Sequence, residues 1–107
     1  MATDDTLAVV RHHAEVLGAG DLDAIMSDYA DNAVFIADTS GAIVGAAAIR
    51  SYLSTPSELS GIEPNALHVE GDYLYVRWTA DGVRLGTDTF VVSGGKIVLQ
   101  TVTIDRS

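Results

Sequence analysis

Apolar residues recur at helical spacing in the first half of the chain and at alternate positions in the second. Val9, Val10, His13, Val16 and Leu17 form one stripe of a helix predicted over residues 4–17. Thr3 or Asp4 can cap it, Gly18 marks its stop, and His12 and Glu15 lie on its flank. Gly20-Asp21 opens a second helix with Asp21 as N-cap and Leu22, Ile25, Met26 and Tyr29 as its apolar face. That helix is expected to end near Ala30, with Asp31-Asn32 as the turn and a short strand over 33–37. Asp38-Thr39-Ser40-Gly41 reads as a turn and Ile43-Val44 as a brief strand. Gly45 leads into a third helix over 46–53, with Ile49, Tyr52 and Leu53 facing inward.

Residues 55–64 carry both prolines and read as loop. Four strands follow, over 66–70, 73–80, 83–92 and 96–105, separated by Gly71-Asp72, Asp81-Gly82 and Ser93-Gly94-Gly95-Lys96. Alternation puts Leu74, Val76 and Trp78 on one face, and likewise Asp88, Phe90 and Val92. On the last strand the more apolar set is Val98, Val102 and Ile104, interrupted by Gln100. Each of the last two strands thus sets a single polar group on an otherwise apolar face. Three helices ahead of an antiparallel meander predict one α+β domain over 1–107, with helices covering one face of a curved sheet that can close into a cone.

Composition narrows the partners. At 48% hydrophobic residues the chain has enough apolar material for a packed core. A formal charge of −9 repels phosphate backbones and anionic headgroups, which disfavours nucleic acid and membrane as partners. With no cysteine there is no disulfide or thiolate site, and a cytoplasmic location is the default expectation. Adjacent His12 and His13 point about 100° apart on a helix, so they do not chelate one metal; no metal or cofactor is expected.

The motifs Gly20-Asp21-Leu22-Asp23-Ala24-Ile25, Tyr29-Ala30-Asp31-Asn32-Ala33-Val34, Gly45 followed by Ile49, and Asp88, Phe90 and Gly95-Lys96-Ile97 occur in a telling order. In that order the chain resembles the nuclear transport factor 2-like superfamily, in its SnoaL-like and ketosteroid-isomerase-like branch. The resemblance spans nearly the whole chain. It implies a cone-shaped curved antiparallel sheet, NTF2-like or cystatin-like, whose N-terminal helices cover an apolar pocket. It also implies isomerase, cyclase, dehydratase or hydrolase chemistry, or plain binding and association, because this fold hosts all of these. By the same resemblance the pocket is lined by Val76, Trp78, Asp88, Phe90, Val92, Gln100 and Val102, with Tyr29, Tyr52 and the His13 face of the first helix. Ketosteroid isomerases hold an enolate oxygen with a helix-one tyrosine and a protonated acid; the corresponding positions are His13 and Asp88. Their general base falls at Ala37, with Asp38 beside it.

Each candidate also has a plain structural reading. Asp88 reads as a desolvated acid or donor in a pocket, or as a carboxylate at an exposed strand end meeting water or Arg84. His13 reads as a donor or base, or as a buried histidine bonded to a carbonyl or to Tyr29. Asp38 is a turn former or a base. Trp78, Phe90 and Tyr52 are core residues or ligand contacts, and Gln100 on an apolar face needs a protein partner or a ligand. The opposite sheet face, with Tyr73, Tyr75, Ile97, Leu99, Thr101 and Thr103, suits a homodimer packed sheet to sheet. Function is expected to be acid–base chemistry on a small apolar, carbonyl-bearing molecule, or non-catalytic ligand binding or association on the same scaffold.

Overall fold

Asp21 accepts the Ala24 N–H at 3.2 Å and so starts α2 (Leu22–Ser27) directly behind α1 (Ala2–Ala19). The computed structural model describes residues 2–55 and 59–106. After α2 come β1 (Tyr29–Ala37), β2 (Gly41–Val44), α3 (Ala46–Leu53), β3 (Glu63–Glu70), β4 (Tyr73–Ala80), β5 (Val83–Ser93) and β6 (Lys96–Arg106). The six strands form one sheet in the order β2-β1-β6-β5-β4-β3. All pairs are antiparallel except β1 with β6, which run parallel. The sheet is open, with β2 and β3 as its edges, and does not close on itself.

The second helix is shorter than its apolar pattern predicts. Asp28 caps it, its N–H directed back at Ile25 and Met26. Its carbonyl accepts the Ile97 N–H at 2.7 Å, which hands the chain over to the sheet. Tyr29 therefore begins β1, paired with Ile97, rather than ending a helix. Pro64 lies within β3 and not in a loop; an edge strand tolerates it because one side of the ladder is unused. The remainder of the expected 55–64 loop falls partly on residues 56–58, outside those described.

A bulge corrects the facing of the last strand. Val91 pairs with Leu99 but Val92 pairs with Ile97, so Val98 is the extra residue. Ile97 consequently turns inward and is fully buried, while Val98 is displaced from the inner set. From Gln100 onward the expected alternation holds.

The core lies between the sheet and the helices: Ile25, Ala33, Phe35, Ile49, Leu74, Phe90, Val92 and Ile97 are all buried. Helix α1 contributes Leu7, Val9, Val10 and Val16 at its margin, whereas Leu17 is exposed. The first turns of α1 are also tied to the β3–β4 hairpin. Gly71 N–H donates to Thr3 Oγ1 at 3.0 Å, and Thr6 Oγ1 donates to the Gly71 carbonyl at 2.7 Å. Gly71 has φ of 57°, which its lack of a Cβ permits. This anchoring holds α1, and with it His13, across the inner face of the sheet.

Candidate functional site

Two features share the inner sheet face: a chain of buried polar side chains and an apolar cavity beside it. The polar chain begins on α1. His12 Nδ1 lies 2.8 Å from Asp28 Oδ1, and His13 Nδ1 lies 3.3 Å from Asp28 Oδ2. His13 Nε2 is 3.2 Å from the Tyr29 hydroxyl, which donates to Gln100 Oε1. Gln100 Nε2 donates to Asp88 Oδ2 at 3.1 Å, and Trp78 Nε1 donates to Asp88 Oδ1 at 3.1 Å. Six side chains from α1, the α2 cap, β1, β4, β5 and β6 are thus joined in one line behind the exposed His12.

Sequence dictates the line residue by residue. The bulge at Val98 and the pleat of β6 point Gln100 inward, and register sets it opposite Phe90 on β5 and beside Phe35 on β1. The side chain of Gln100 then reaches Asp88, two residues from Phe90 on the same face. Trp78 can reach Asp88 because its cross-strand partner is Gly86. A Cβ on Gly86 would fall 2.2 Å from the indole, so only glycine leaves room for the ring to fold over the neighbouring strand. His13 is 1% exposed and sits edge-on to Tyr29 at 5.1 Å and to Phe90 at 6.0 Å between ring centres. Among the described residues no buried side-chain nitrogen or oxygen lacks a hydrogen-bond partner.

Burial governs the protonation of this line. It pushes the Asp88 carboxyl above its ordinary value, and the N–H groups of Trp78 and Gln100, which favour the carboxylate, only partly oppose it. Burial also pushes His13 below its ordinary value, opposed by the charge and hydrogen bond of Asp28 and assisted by His12. Tyr29 is raised by burial and then by the charges of Asp88 and Asp28, so its hydroxyl keeps its proton. Burial thus favours the neutral forms of Asp88, His13 and Tyr29.

The cavity has a volume of about 540 Å³ and lies between the β1–β6 floor and α3 with Thr55 and Leu59. Phe35, Ala37, Val102 and Ile104 form the floor, Tyr52, Leu53 and Leu59 the opposite wall, and Asp38 and Arg106 place one anion and one cation at its rim. Val102 is the register partner of Asp88 and lies two residues from Gln100, so the cavity floor adjoins the acid end of the polar line. Asp88 itself retains partial exposure.

Of the residues expected to line a pocket, Tyr52 and Val102 do line this cavity, as does Asp38, which stands in the turn just beyond β1. Asp88, Trp78, Gln100, Tyr29 and His13 are brought together as the polar line. Val76 is half-buried opposite Asp88. Phe90 and Val92 are enclosed in the core and are not among the described residues that line the cavity. Arg84 does not meet Asp88; it pairs with Asp105 through contacts of 2.9–3.1 Å at the surface. Sequence reading missed Asp28 and Gly86. Asp28 carries no periodic signal, because it is a cap whose side chain turns back under α1. Gly86 reads only as a weak point in a strand until its partner is known to be tryptophan. Among the described residues no three histidine, aspartate or glutamate side chains gather as metal ligands would, and no helix is long and apolar enough to cross a membrane.

Solved structures reproduce this architecture. An NTF2-like protein of unknown function from Burkholderia xenovorans matches with a TM-score of 0.83 at 22% identity, over 100% of this chain and 88% of that one. A provisionally assigned ketosteroid isomerase from Kribbella flavida matches with a TM-score of 0.82 at 19% identity, over 100% and 82%. An LEH-like epoxide hydrolase from M. tuberculosis gives 0.81 at 17% identity, over 98% and 86%. These likenesses establish an NTF2-like fold. No curated protein matches the chain in sequence. The model of the SnoaL-like domain family matches residues 10–104, and the chain belongs to that family.

Proposed function

We propose that the chain binds a small apolar molecule bearing a carbonyl or epoxide oxygen in the cavity over Val102, and that Asp88 serves as the acid that donates to that oxygen. The observation that carries this reading is that Asp88, a partly exposed carboxyl group pushed above its ordinary value by burial, is the register partner of Val102 on the floor of a cavity of about 540 Å³. A carboxylic acid that carries its proton is a hydrogen-bond donor, burial favours that form, and a developing oxyanion is stabilised by such a donor in a dry site. Trp78 and Gln100 each direct one N–H at an Asp88 oxygen and so stabilise the carboxylate left after donation. Asp38, at the cavity rim, is the candidate base. The isomerase and epoxide-hydrolase names among the fold neighbours agree with oxygen-directed acid chemistry but select no reaction.

Thermal-shift and calorimetric titration with a steroid enone, an aromatic polyketide analogue and a small aryl epoxide test the reading, on wild type and Asp88→Asn. The expected result is that one class stabilises wild type, and that turnover of it is lost in the variant. A class that binds both proteins equally and is never turned over would leave a non-catalytic binding domain instead.

Association is a second part of the reading. The outer sheet face carries Tyr73, 63% exposed, with Tyr75, Leu99 and Thr101 partly covered. A self-complementary patch of this kind suits a homodimer. Sedimentation at micromolar concentration is expected to give twice the chain mass for wild type and a monomer for Tyr73→Glu; a monomeric wild type would end the proposal.

A further inference from the structure

The hydrogen-bond directions along the polar line are not independent, because most of its members have a fixed number of protons to give. The indole N–H of Trp78 can only donate, so Asp88 Oδ1 always accepts from it. The hydroxyl of Tyr29 has a single proton. In the structure that proton goes to Gln100 Oε1, and Gln100 Nε2 donates to Asp88 Oδ2. The Tyr29 oxygen must then accept from His13 Nε2–H. His13 Nδ1 faces the Asp28 carboxylate and also needs a proton to bond it. This direction of the line therefore requires a doubly protonated, charged His13 together with an ionised Asp88.

The opposite direction is equally complete. If Asp88 carries a proton on Oδ2, that O–H donates to Gln100 Oε1 with the amide turned round. Gln100 Nε2 then donates to Tyr29, and the Tyr29 hydroxyl donates to His13 Nε2. His13 is neutral in this arrangement, with its remaining proton on Nδ1 and directed at Asp28. The two directions differ by one proton: an N–H bond at His13 Nε2 is exchanged for an O–H bond at Asp88. The summed charge of the two residues is zero in both. Removing that proton altogether leaves His13 Nδ1 bare against Asp28, and adding a second leaves His13 Nε2–H pointed at the Tyr29 proton. Each of those states strands a buried contact, which costs more than the contact is worth when made.

We propose that His13 and Asp88 hold one proton between them through Tyr29 and Gln100, which makes His13 a positioning residue for Asp88: charged when Asp88 is ionised and neutral when Asp88 is an acid. The groups facing His13 are His12 on α1, Asp28 at the α2 cap and Tyr29 on β1; those facing Asp88 are Trp78 on β4, Gln100 on β6 and, beyond it, Tyr29. Burial lowers His13 and raises Asp88, and so favours the second direction, in which both are neutral. The use of the device rests on the reading of Asp88 as a ligand-facing acid. When Asp88 gives its proton to a ligand oxygen, the line reverses and His13 Nε2 gains a proton, drawn from solvent, which the line meets at half-exposed His12 beside buried Asp28. The proton sharing itself does not depend on any ligand.

Nuclear magnetic resonance on ligand-free protein tests it separately from the proposed function. The His13 ring nitrogens and the Asp88 carboxyl carbon are followed together through an acid-to-neutral titration, with His12 and His68 as internal comparisons. The expected result is that each titration step appears at the same midpoint at both residues, as coupled sites require. Independent midpoints would overturn the proposal, and this reading needs no variant. In Asp88→Asn the side-chain oxygen must accept from Trp78, so its NH₂ must face Gln100 and lock the second direction. His13 is then expected to be neutral with its proton on Nδ1 throughout. A His13 that is charged in that variant, or neutral with its proton on Nε2, would also overturn it. Gln100→Met severs the line, and in that background Asp88→Asn is expected to leave the His13 nitrogen shifts where Gln100→Met alone puts them; a persisting difference would place the coupling outside the line.

Discussion

The indole of Trp78 lies over the backbone of Gly86, its register partner, so closely that a methyl group there would fall 2.2 Å from ring carbon Cε2. The missing side chain on β5 is therefore what aims the Trp78 N–H at Asp88, two residues along the same strand face.

Gly86→Ala is accordingly expected to push the ring off its seat. Overpacking of this kind costs about 1–3 kcal/mol, and the Trp78–Asp88 hydrogen bond goes with it. Trp78 is the chain's single tryptophan, so its emission spectrum reports the displacement directly. A variant with native emission and native melting temperature would mean that the strands part without cost and that Gly86 has no role in aiming Trp78.

Asp88→Asn tests the burial of the acid through stability. Asp88 has a folded-state pKa above its ordinary 3.8, so the folded chain holds this proton more tightly than the unfolded chain. Its contribution is fully present below 3.8 and is lost as pH rises through the folded value. Asparagine keeps the shape and has no proton to lose. The melting temperature of the variant is expected to match or trail wild type in acid and to gain on it steadily towards neutral pH. A constant offset across that range would mean that Asp88 is not desolvated.

Much of this architecture was legible in the sequence. The helical stripe of α1, the Asp21 cap, the glycine-marked hairpins and the alternation of β4 and β5 are local signals, and each survives in the structure. Asp88 and Gln100 stood out because a polar residue on an apolar strand face must find a partner, and they find each other. What failed was non-local. Tyr29 continues the helical spacing of α2, and only the pairing of Asp28 and Tyr29 with Ile97 draws it into the sheet. The bulge at Val98 leaves no mark in a run of β-branched and aliphatic residues, yet it reverses Ile97. That Phe35 and Ile104 line the cavity beside the expected Tyr52 and Val102, while Phe90 and Val92 pack into the core, depends on how α3 is laid across β1, which periodicity does not encode.

Tyr29→Phe removes the hydroxyl that joins His13 to Gln100 while keeping the ring. Both neighbours are buried, and both lose a partner. The expected cost is about 1–3 kcal/mol by denaturant unfolding, the penalty for stranding buried polar groups. The pH dependence should change as well. His13 is lowered from 6.5, so wild-type stability is expected to fall as pH drops from 6.5 through the folded value, because the unfolded chain takes up that proton first. Without the Tyr29 oxygen, Nε2 has lost the group that orders its proton, and that part of the pH profile is expected to shift. A variant as stable as wild type with the same profile would remove Tyr29 from the line.

The cavity and the core can be told apart by adding the same side-chain bulk to each. Val102 borders open volume and is half-buried, whereas Val92 is 2% exposed among packed neighbours. Val102→Phe adds a ring to a cavity of about 540 Å³, so it forces no atom into another and should leave the melting temperature at or above that of wild type. Any probe that stabilises wild type should lose its effect, because the ring occupies the floor beside Asp88. Val92→Phe adds the same ring where no space exists, and it is expected to cost about 1–3 kcal/mol while changing probe affinity little. If the two variants are destabilised alike, the space over Val102 closes in solution and is not available to a ligand. If both remain stable and both lose probe binding, the ligand sits deeper, towards Phe90, and the cavity over Val102 is only its entrance.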